Sequence, residues 1–280
     1  MPNFNLANES ANTVLPQHAA DWLSLAQISD LHLLTNPDAV FAGVYPARHL
    51  AAVLAKIAQM GYDALLATGD LWQEPSTANF DALFAQFDAL GLPWAAIAGN
   101  HDVTLELDTH LPFEQWRRVP IAADKRLLSR RLVQSAYWDL LFIDTSMAGQ
   151  TAGWVDDATL AWLTDTLRQS TRPCVLFAHH PMLAVGTPWI DRQGVHNADQ
   201  FWQVVAPFAP RLRAIFVGHV HQTQQVMAHD IPVYSCPATS VQFTPFAHEY
   251  AVQITAPQYR WIQLFNTGTL ATGVKKVPIG

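Results

Sequence analysis

Five short segments of the chain concentrate the residue types that bind cations: Asp30-Leu31-His32, Gly69-Asp70, Gly99-Asn100-His101-Asp102, His179-His180-Pro181 and Gly218-His219-Val220-His221. A carboxylate offers oxygen lone pairs and a neutral imidazole offers one nitrogen lone pair, so several of them converging on one point can hold a metal ion. In extended backbone Asp30 and His32, two residues apart, would point to the same side and share one ion. A lone Asp after a strand is ordinarily a turn residue or a helix cap, and a lone His is ordinarily packed or solvated. These positions are correlated instead. Of the 12 histidines, His32, His101, His179, His180, His219 and His221 stand inside the segments, while His18, His49, His110, His196, His229 and His248 scatter.

The period of the apolar residues indicates what positions the segments. Residues 22–28, 64–68 and 93–98 read as strands. Between them Leu50, Val53, Leu54 and Ile57 form one helical face ending at Gly61, and Phe80, Leu83, Phe84, Phe87 and Leu90 form another ending at Gly91. After an irregular stretch from His101 to about Arg126, residues 138–143 read as a strand. Asp156 or Asp157 then caps a helix with Leu160, Leu163 and Leu167 inward. Residues 174–178 and 214–217 are strands flanking a helix at 198–208. Beyond His221 the pattern is strand-like at 226–228, 231–235, 250–254 and 259–265, with Asn266-Thr267-Gly268 as a turn. Each segment thus closes a strand, where an α/β sheet builds its sites. The expected architecture is α/β, two sheets flanked by helices, as one domain over residues 21–280 behind a flexible polar tail at 1–20.

The composition fits that architecture and excludes others. Half of the 280 residues are hydrophobic, 14% are charged and 11% aromatic, which argues against disorder, collagen-like sequence and coiled coil. Sixteen Lys and Arg against 23 Asp and Glu give a formal charge of −7 with no basic block, so nucleic acid is not an expected partner. No basic start followed by an apolar stretch, and no run of apolar residues of membrane-spanning length, is visible; a cytoplasmic protein without membrane attachment is expected. Cys174 and Cys236 lie in apolar strand-like segments without ligand spacing and read as reduced core residues.

The ordered set D-x-H, GD, GNHD, H and GHxH from Asp30 to His221 resembles the calcineurin-like metallophosphoesterase superfamily. His179-His180-Pro181, Gly218-His219-Val220-His221 and the later Ser240-Val241-Gln242-Phe243 are similar, more narrowly, to the bacterial 3′,5′-cyclic-AMP phosphodiesterases of the Icc/CpdA type. The resemblance implies a four-layer sandwich of two mixed sheets between helices. It also implies two metal ions, Fe and Mn, with Mn, Zn or Co compatible with an all N/O ligand set. Carried over by position, one metal takes Asp30, His32, Asp70 and His221, and the other takes Asp70, Asn100, His179 and His219, with Asp70 bridging. A metal-bridging hydroxide would then attack phosphorus and open 3′,5′-cyclic AMP to 5′-AMP. The implied partner is a small cyclic nucleotide, and a homodimer is compatible with the resemblance.

His101 is the implied catalytic residue, stabilising the transition state or protonating the leaving 3′ oxygen. Substrate contacts are expected from His32, Asp70, Asn100, His101 and His221. Asn197 either meets sugar or phosphate or caps the helix that follows it. One departure from the family pattern is Gln73, where many members carry an Asp that orients the histidine; Glu74 follows but should point elsewhere. Asp102 is either a brace or a turn residue, His180 either a brace or packing, and Phe243 could stack on a base. The rival readings are a broader phosphodiesterase or phosphomonoesterase, acting on 2′,3′-cyclic nucleotides or glycerophosphodiesters, a non-catalytic metal-binding module, and a nuclease.

Overall fold

Runs such as Ala64 to Thr68 and Cys174 to Phe177 place apolar side chains at consecutive positions, which suits strands covered on both faces. The computed structural model describes residues 13–15, 21–107, 112–115, 118–120 and 124–279, and in it those runs are central strands. In chain order the elements are β1 (Thr13–Val14), β2 (Trp22–Ile28), α1 (Pro46–Ala58), β3 (Ala64–Thr68), α2 (Thr77–Asp88), β4 (Trp94–Ile97), β5 (Leu105–Leu107), β6 (Arg118–Pro120), β7 (Arg130–Gln134), β8 (Asp139–Ile143) and α3 (Asp157–Gln169). There follow β9 (Cys174–Phe177), α4 (Pro188–Asp191), α5 (Ala198–Val205), β10 (Leu212–Val217), β11 (Gln225–Ala228), β12 (Ile231–Ser235), β13 (Gln242–Phe243), β14 (Val252–Gln253), β15 (Gln258–Phe265) and β16 (Leu270–Lys276).

One sheet has the order β16-β15-β2-β3-β4, with β2, β3 and β4 parallel and β15 antiparallel to both of its neighbours. The other has the order β1-β7-β8-β9-β10-β12-β11, with β8, β9, β10 and β12 parallel. Alternation along each strand decides the layering. Leu25, Leu66 and Ile97 of the first sheet pack against Phe142, Phe177 and Phe216 of the second, and the three phenylalanine rings stack at 5.1 and 5.3 Å. The alternate residues face outward: Leu65 packs with α1 and α2, and Leu176 and Ile215 with α3 and α5. This is the four-layer sandwich, helices outside two mixed sheets.

Local signals placed the elements well. Ser76 accepts from the Asn79 amide at the start of α2, and Asp156, not Asp157, caps α3 through the Thr159 amide at 2.6 Å. Several expectations change, among them the helix expected at 198–208, which is α-helical only to Val205 and closes in a 3-10 turn. The irregular stretch after His101 contains the β5–β6 pair, and the strand expected at 250–254 shrinks to Val252–Gln253. The tail expected at 1–20 lies largely outside the described residues. Within it, however, β1 pairs in parallel with β7 and Leu15 is buried, because a free sheet edge and an apolar hollow accept it there. Among the described residues no helix is long and apolar enough to cross a membrane.

Cys174 and Cys236 are both free and buried, and burial pushes their thiols up to about 11 and about 12. A disulfide-exchange reagent at mildly alkaline pH should therefore leave both untouched in the native protein and titrate both once guanidinium unfolds it. Fast reaction of either thiol in the native state would contradict this burial.

Candidate metal centre and substrate pocket

Five parallel strands deliver the five segments to one place. β2, β3 and β4 end in Asp30 and His32, Asp70, and Asn100 with His101; β9 and β10 end in His179 with His180, and His219 with His221. The side chains meet where the carboxyl ends of the two sheets face each other, as open α/β sheets build sites. They do not meet through strand alternation. Asp30, His32, Asp70, His219 and His221 have φ of 55, 45, 53, 66 and 46°, so β2, β3 and β10 are followed by left-handed backbone that folds their ligand-type side chains inward. The extended Asp30-Leu31-His32 of the sequence reading is thus corrected: the two side chains converge because the backbone turns. Backbone bonds hold the turned loops, including Asp30 N to Gly69 O at 2.9 Å and His32 N to Asp70 O at 3.0 Å. Gly69 fits here (φ 95°) because a Cβ would strike the His179 ring.

The acceptors crowd. His221 Nε2 lies 3.0 Å from His32 Nε2 and 3.2 Å from Asp30 Oδ1. Asp70 Oδ2 lies 3.7 Å from His32 Nε2, while its Oδ1 lies 3.5 Å from His179 Nε2 and accepts from the His101 amide at 2.9 Å. His179 Nδ1 is 2.7 Å from Thr68 O, and His221 Nδ1 is 2.7 Å from Val241 O. A carbonyl can only accept, so both Nδ1 atoms carry the hydrogen and both Nε2 lone pairs face the centre. Asn100 Oδ1, His179 Nε2 and His219 Nε2 are buried without a hydrogen-bond partner.

Charge follows the same geometry. Burial opposes ionisation of Asp70, yet His179 and His101 hold its carboxyl well below the usual range; His221 does the same, more weakly, for Asp30. Burial pushes His32 and His219 down to about 3, so both stay neutral. Burial also works against protonation of His179, but the neighbouring Asp70 carboxylate raises it to about 9. The ionised carboxylates thus draw positive charge to His179, while burial keeps His32 and His219 uncharged.

Residues 23–223 match the family model described as calcineurin-like phosphoesterase. The chain belongs to this family. It is 37% identical over 263 residues to a probable cyclic nucleotide phosphodiesterase of Psychrobacter arcticus, covering 91% of this chain and 94% of that one. It is 30% identical to the 3′,5′-cyclic adenosine monophosphate phosphodiesterase CpdA of Vibrio vulnificus, covering 92% and 91%. A dimetal phosphatase from Danio rerio shares the fold with a TM-score of 0.60, at 11% identity over 91% of this chain and 99% of that one. Calcineurin-like phosphoesterases are metal-dependent hydrolases, and the residues here fit such ions: ionised carboxylates, imidazole nitrogens and an amide oxygen converge on one place, and Asn100 Oδ1, His179 Nε2 and His219 Nε2 have no hydrogen-bond donor.

The phosphoesterase backs these side chains with a layer that the sequence reading saw only as a motif. Ser240 Oγ donates to Asp30 O at 2.6 Å, Val241 O takes the His221 ring N–H, and Phe243 lies flat on that ring at 3.9 Å and 5°. Phe243 is therefore a clamp on His221, and with one face on that ring and only 8% of its surface exposed it has little area left for the base-stacking role suggested for it. Gln242 turns away to donate to Ala238 O at 2.7 Å. Asp102 is a brace: its buried carboxylate accepts from the amides of Leu71, Trp72 and Gly99, tying the β3 loop to the β4 loop. Burial and the nearby Asp70 push it up to about 7. His180 is buried against Thr145 Oγ1 at 2.8 Å, its ring 4.7 Å from that of His219.

Asn197 is elsewhere. Its amide is spent on the backbone of Val155, accepting at 2.9 Å and donating at 2.7 Å, so it neither lines the pocket nor caps α5 through its side chain. Glu74 accepts from Thr35 and points away, as expected, while Gln73 lines the pocket. That pocket, of about 250 Å³, opens over the centre and includes His32, Asp70, Asn100, His101, His219 and His221. Its outer walls come from residues the sequence reading did not single out, Phe41, Trp189, Gln193 and Tyr250. Isolated side chains in loops and in the one-turn α4 carry no periodic signal, so nothing in the sequence marked them.

Phe243→Ala removes the ring that holds His221 in its plane and leaves every ligand-type residue in place. Loss of such a support typically costs 10–100-fold in metal affinity or activity. We expect weaker Mn²⁺ binding by about that factor in calorimetric titration of the chelator-treated variant, with wild-type affinity counting against the clamp.

Proposed function

We propose that this phosphoesterase hydrolyses 3′,5′-cyclic AMP to 5′-AMP at a two-metal centre. Asp30, His32, Asp70 and His221 would hold one ion and Asp70, Asn100, His179 and His219 the other, with iron and manganese as the expected pair and Mn, Zn or Co compatible with the donors. The observation that carries this reading is the division of Asp70: its Oδ2 faces His32 and its Oδ1 faces His179, so one carboxylate serves two groups of imidazoles. The cyclic-nucleotide names of relatives spanning nearly the whole chain support the substrate.

Bound divalent ions would supply Lewis-acid charge at phosphoryl oxygens and lower the pKa of a coordinated water from ~15.7 toward ~7. The chain's own residues do the rest. Asp70 and Asp30 stay ionised, and the neutral His32 and His219 keep their lone pairs available at ordinary pH. Phosphorus gains the oxygen of water and loses its bond to O3′, leaving the phosphate on the 5′ carbon. The departing O3′ needs a proton. His101 lines the pocket with its backbone fixed by the Asp70 carboxylate and its ring edge-on to His32 at 4.9 Å, so it is the residue placed to give that proton. Cyclic AMP is a cytosolic nucleotide, and two unpaired buried thiols suit a reducing compartment, so we place the enzyme in the cytoplasm.

The Mn²⁺-loaded protein is expected to convert 3′,5′-cyclic AMP to 5′-AMP; negligible turnover beside strong activity on 2′,3′-cyclic AMP or glycerophosphodiesters would reject this substrate in favour of a broader phosphodiesterase. Asp70→Ala should lose both the metal, read by elemental analysis, and the activity. Full metal content and full activity in that variant would remove the bridging role. His101→Ala should keep its metal and lose roughly 10²- to 10⁴-fold in kcat, the range for a general acid.

A further inference from the structure

The pocket has two chemically unlike ends. One is the crowd of carboxylates and imidazoles, which is all a phosphodiester group needs. The other is aromatic: the rings of Trp189 and Phe243 are 4.7 Å apart at 69°, and Tyr250 packs edge-on against both, at 5.4 and 5.6 Å. Such a three-ring corner is rigid, because each ring fixes the other two. Phe243 and Trp189 are each 8% exposed, whereas Tyr250 keeps 58% of its surface open, so Tyr250 is the ring with area to offer a ligand. Among the uncharged polar side chains that line the pocket, Gln193 follows α4, the helix of Trp189 and Ile190; it is half-buried, and its side-chain amide has no hydrogen-bond partner among the described residues. An exposed aromatic ring and an unengaged primary amide lining one pocket fit a flat heteroaromatic group with a donor next to an acceptor on its edge.

We infer that Tyr250 and Gln193 form the base-binding part of the pocket and set its preference for an adenine nucleotide. This rests on the cyclic-nucleotide reading of the same site and adds what selects the base. Adenine places its N6 amino donor beside the N7 acceptor, the pairing a glutamine amide satisfies with two bonds; guanine places two acceptors, O6 and N7, on that edge and satisfies only one. Tyr250 supplies the stacking face, anchored by Trp189 behind it. Thr187 fixes the relation of the two walls: its hydroxyl accepts from the Phe246 amide, joining the loop that carries Tyr250 to the start of α4.

The test compares kcat/KM for three diesters: cyclic AMP, cyclic GMP and methyl riboside 3′,5′-cyclic phosphate, which keeps the cyclic diester and lacks the base. Tyr250→Ala, at an exposed position, is expected to lower the ratio of cyclic AMP to the baseless diester by roughly ten- to hundredfold, mainly through KM, and Tyr250→Phe to restore it, since stacking is a property of the ring. Gln193→Ala is expected to lower the ratio of cyclic AMP to cyclic GMP by about tenfold or more. Unchanged ratios in Tyr250→Ala and Gln193→Ala would overturn the inference while leaving the phosphodiesterase reading intact. A wild-type protein that turns over none of the three would instead overturn that reading, and the inference with it.

Discussion

Everything in this molecule is arranged around a surplus of lone pairs. Two carboxylates, four imidazoles and one amide oxygen face a common centre in which His32 Nε2 and His221 Nε2 stand only 3.0 Å apart. Nitrogen lone pairs at that separation repel unless a cation or proton lies between them. Two of the tautomers are fixed from behind, because the Nδ1 hydrogens of His179 and His221 are committed to Thr68 and Val241 carbonyls. The rings thus cannot rotate away or tautomerise to relieve the crowding. The fold instead holds a site complementary to positive charge, and the upward pull of Asp70 on His179 is the same demand expressed through a proton.

Holding that arrangement strains the backbone. Five of the clustered residues adopt left-handed φ without being glycine, at a typical cost of order 1–3 kcal/mol each. Such conformers persist only where the surroundings over-determine them. Here the surroundings are two sheets whose facing layers are fully buried and whose strand ends are cross-tied: Gly218 N to His179 O, Asp30 N to Gly69 O, and His219 N to both Asp30 carboxylate oxygens. The Asp102 carboxylate, receiving three amides, does the same for the β3 and β4 loops. A large core is therefore what permits a small strained centre.

How much of this could be read in the sequence follows from the range of each interaction. Strands buried on both faces announce themselves as unbroken apolar runs, so β2, β3, β9 and β10 were legible to within a few residues, and so were the segments that close them. The family pattern from Asp30 to His221 named the clustered side chains. Conformations set by tertiary contact were not legible. The left-handed turn at Asp30 depends on strands distant in the chain, the Asn197 amide is consumed by Val155, and the face of Phe243 is consumed by His221. Each is a competition between partners, and a sequence lists candidates without saying which partner wins. The β1 strand is a similar case: two residues without periodicity are ordered by an edge that only the assembled sheet provides.

The division of the pocket follows the same logic. The crowded donors all come from strand ends within residues 23–223, the span the family model covers, and their positions are dictated by sheet geometry that tolerates little change. Phe243 and Tyr250 lie beyond that span, on a short hairpin and the loop it carries. A loop can change length and side chains without moving a strand. The pocket wall is therefore most readily altered there, while Phe243, by lying on His221, keeps the hairpin in register with the strand ends beneath it. A substitution on the outer side of that hairpin would shift the walls of the pocket. One that moves Phe243 would also release His221, and so the hairpin's freedom to vary ends at the ring that touches the centre.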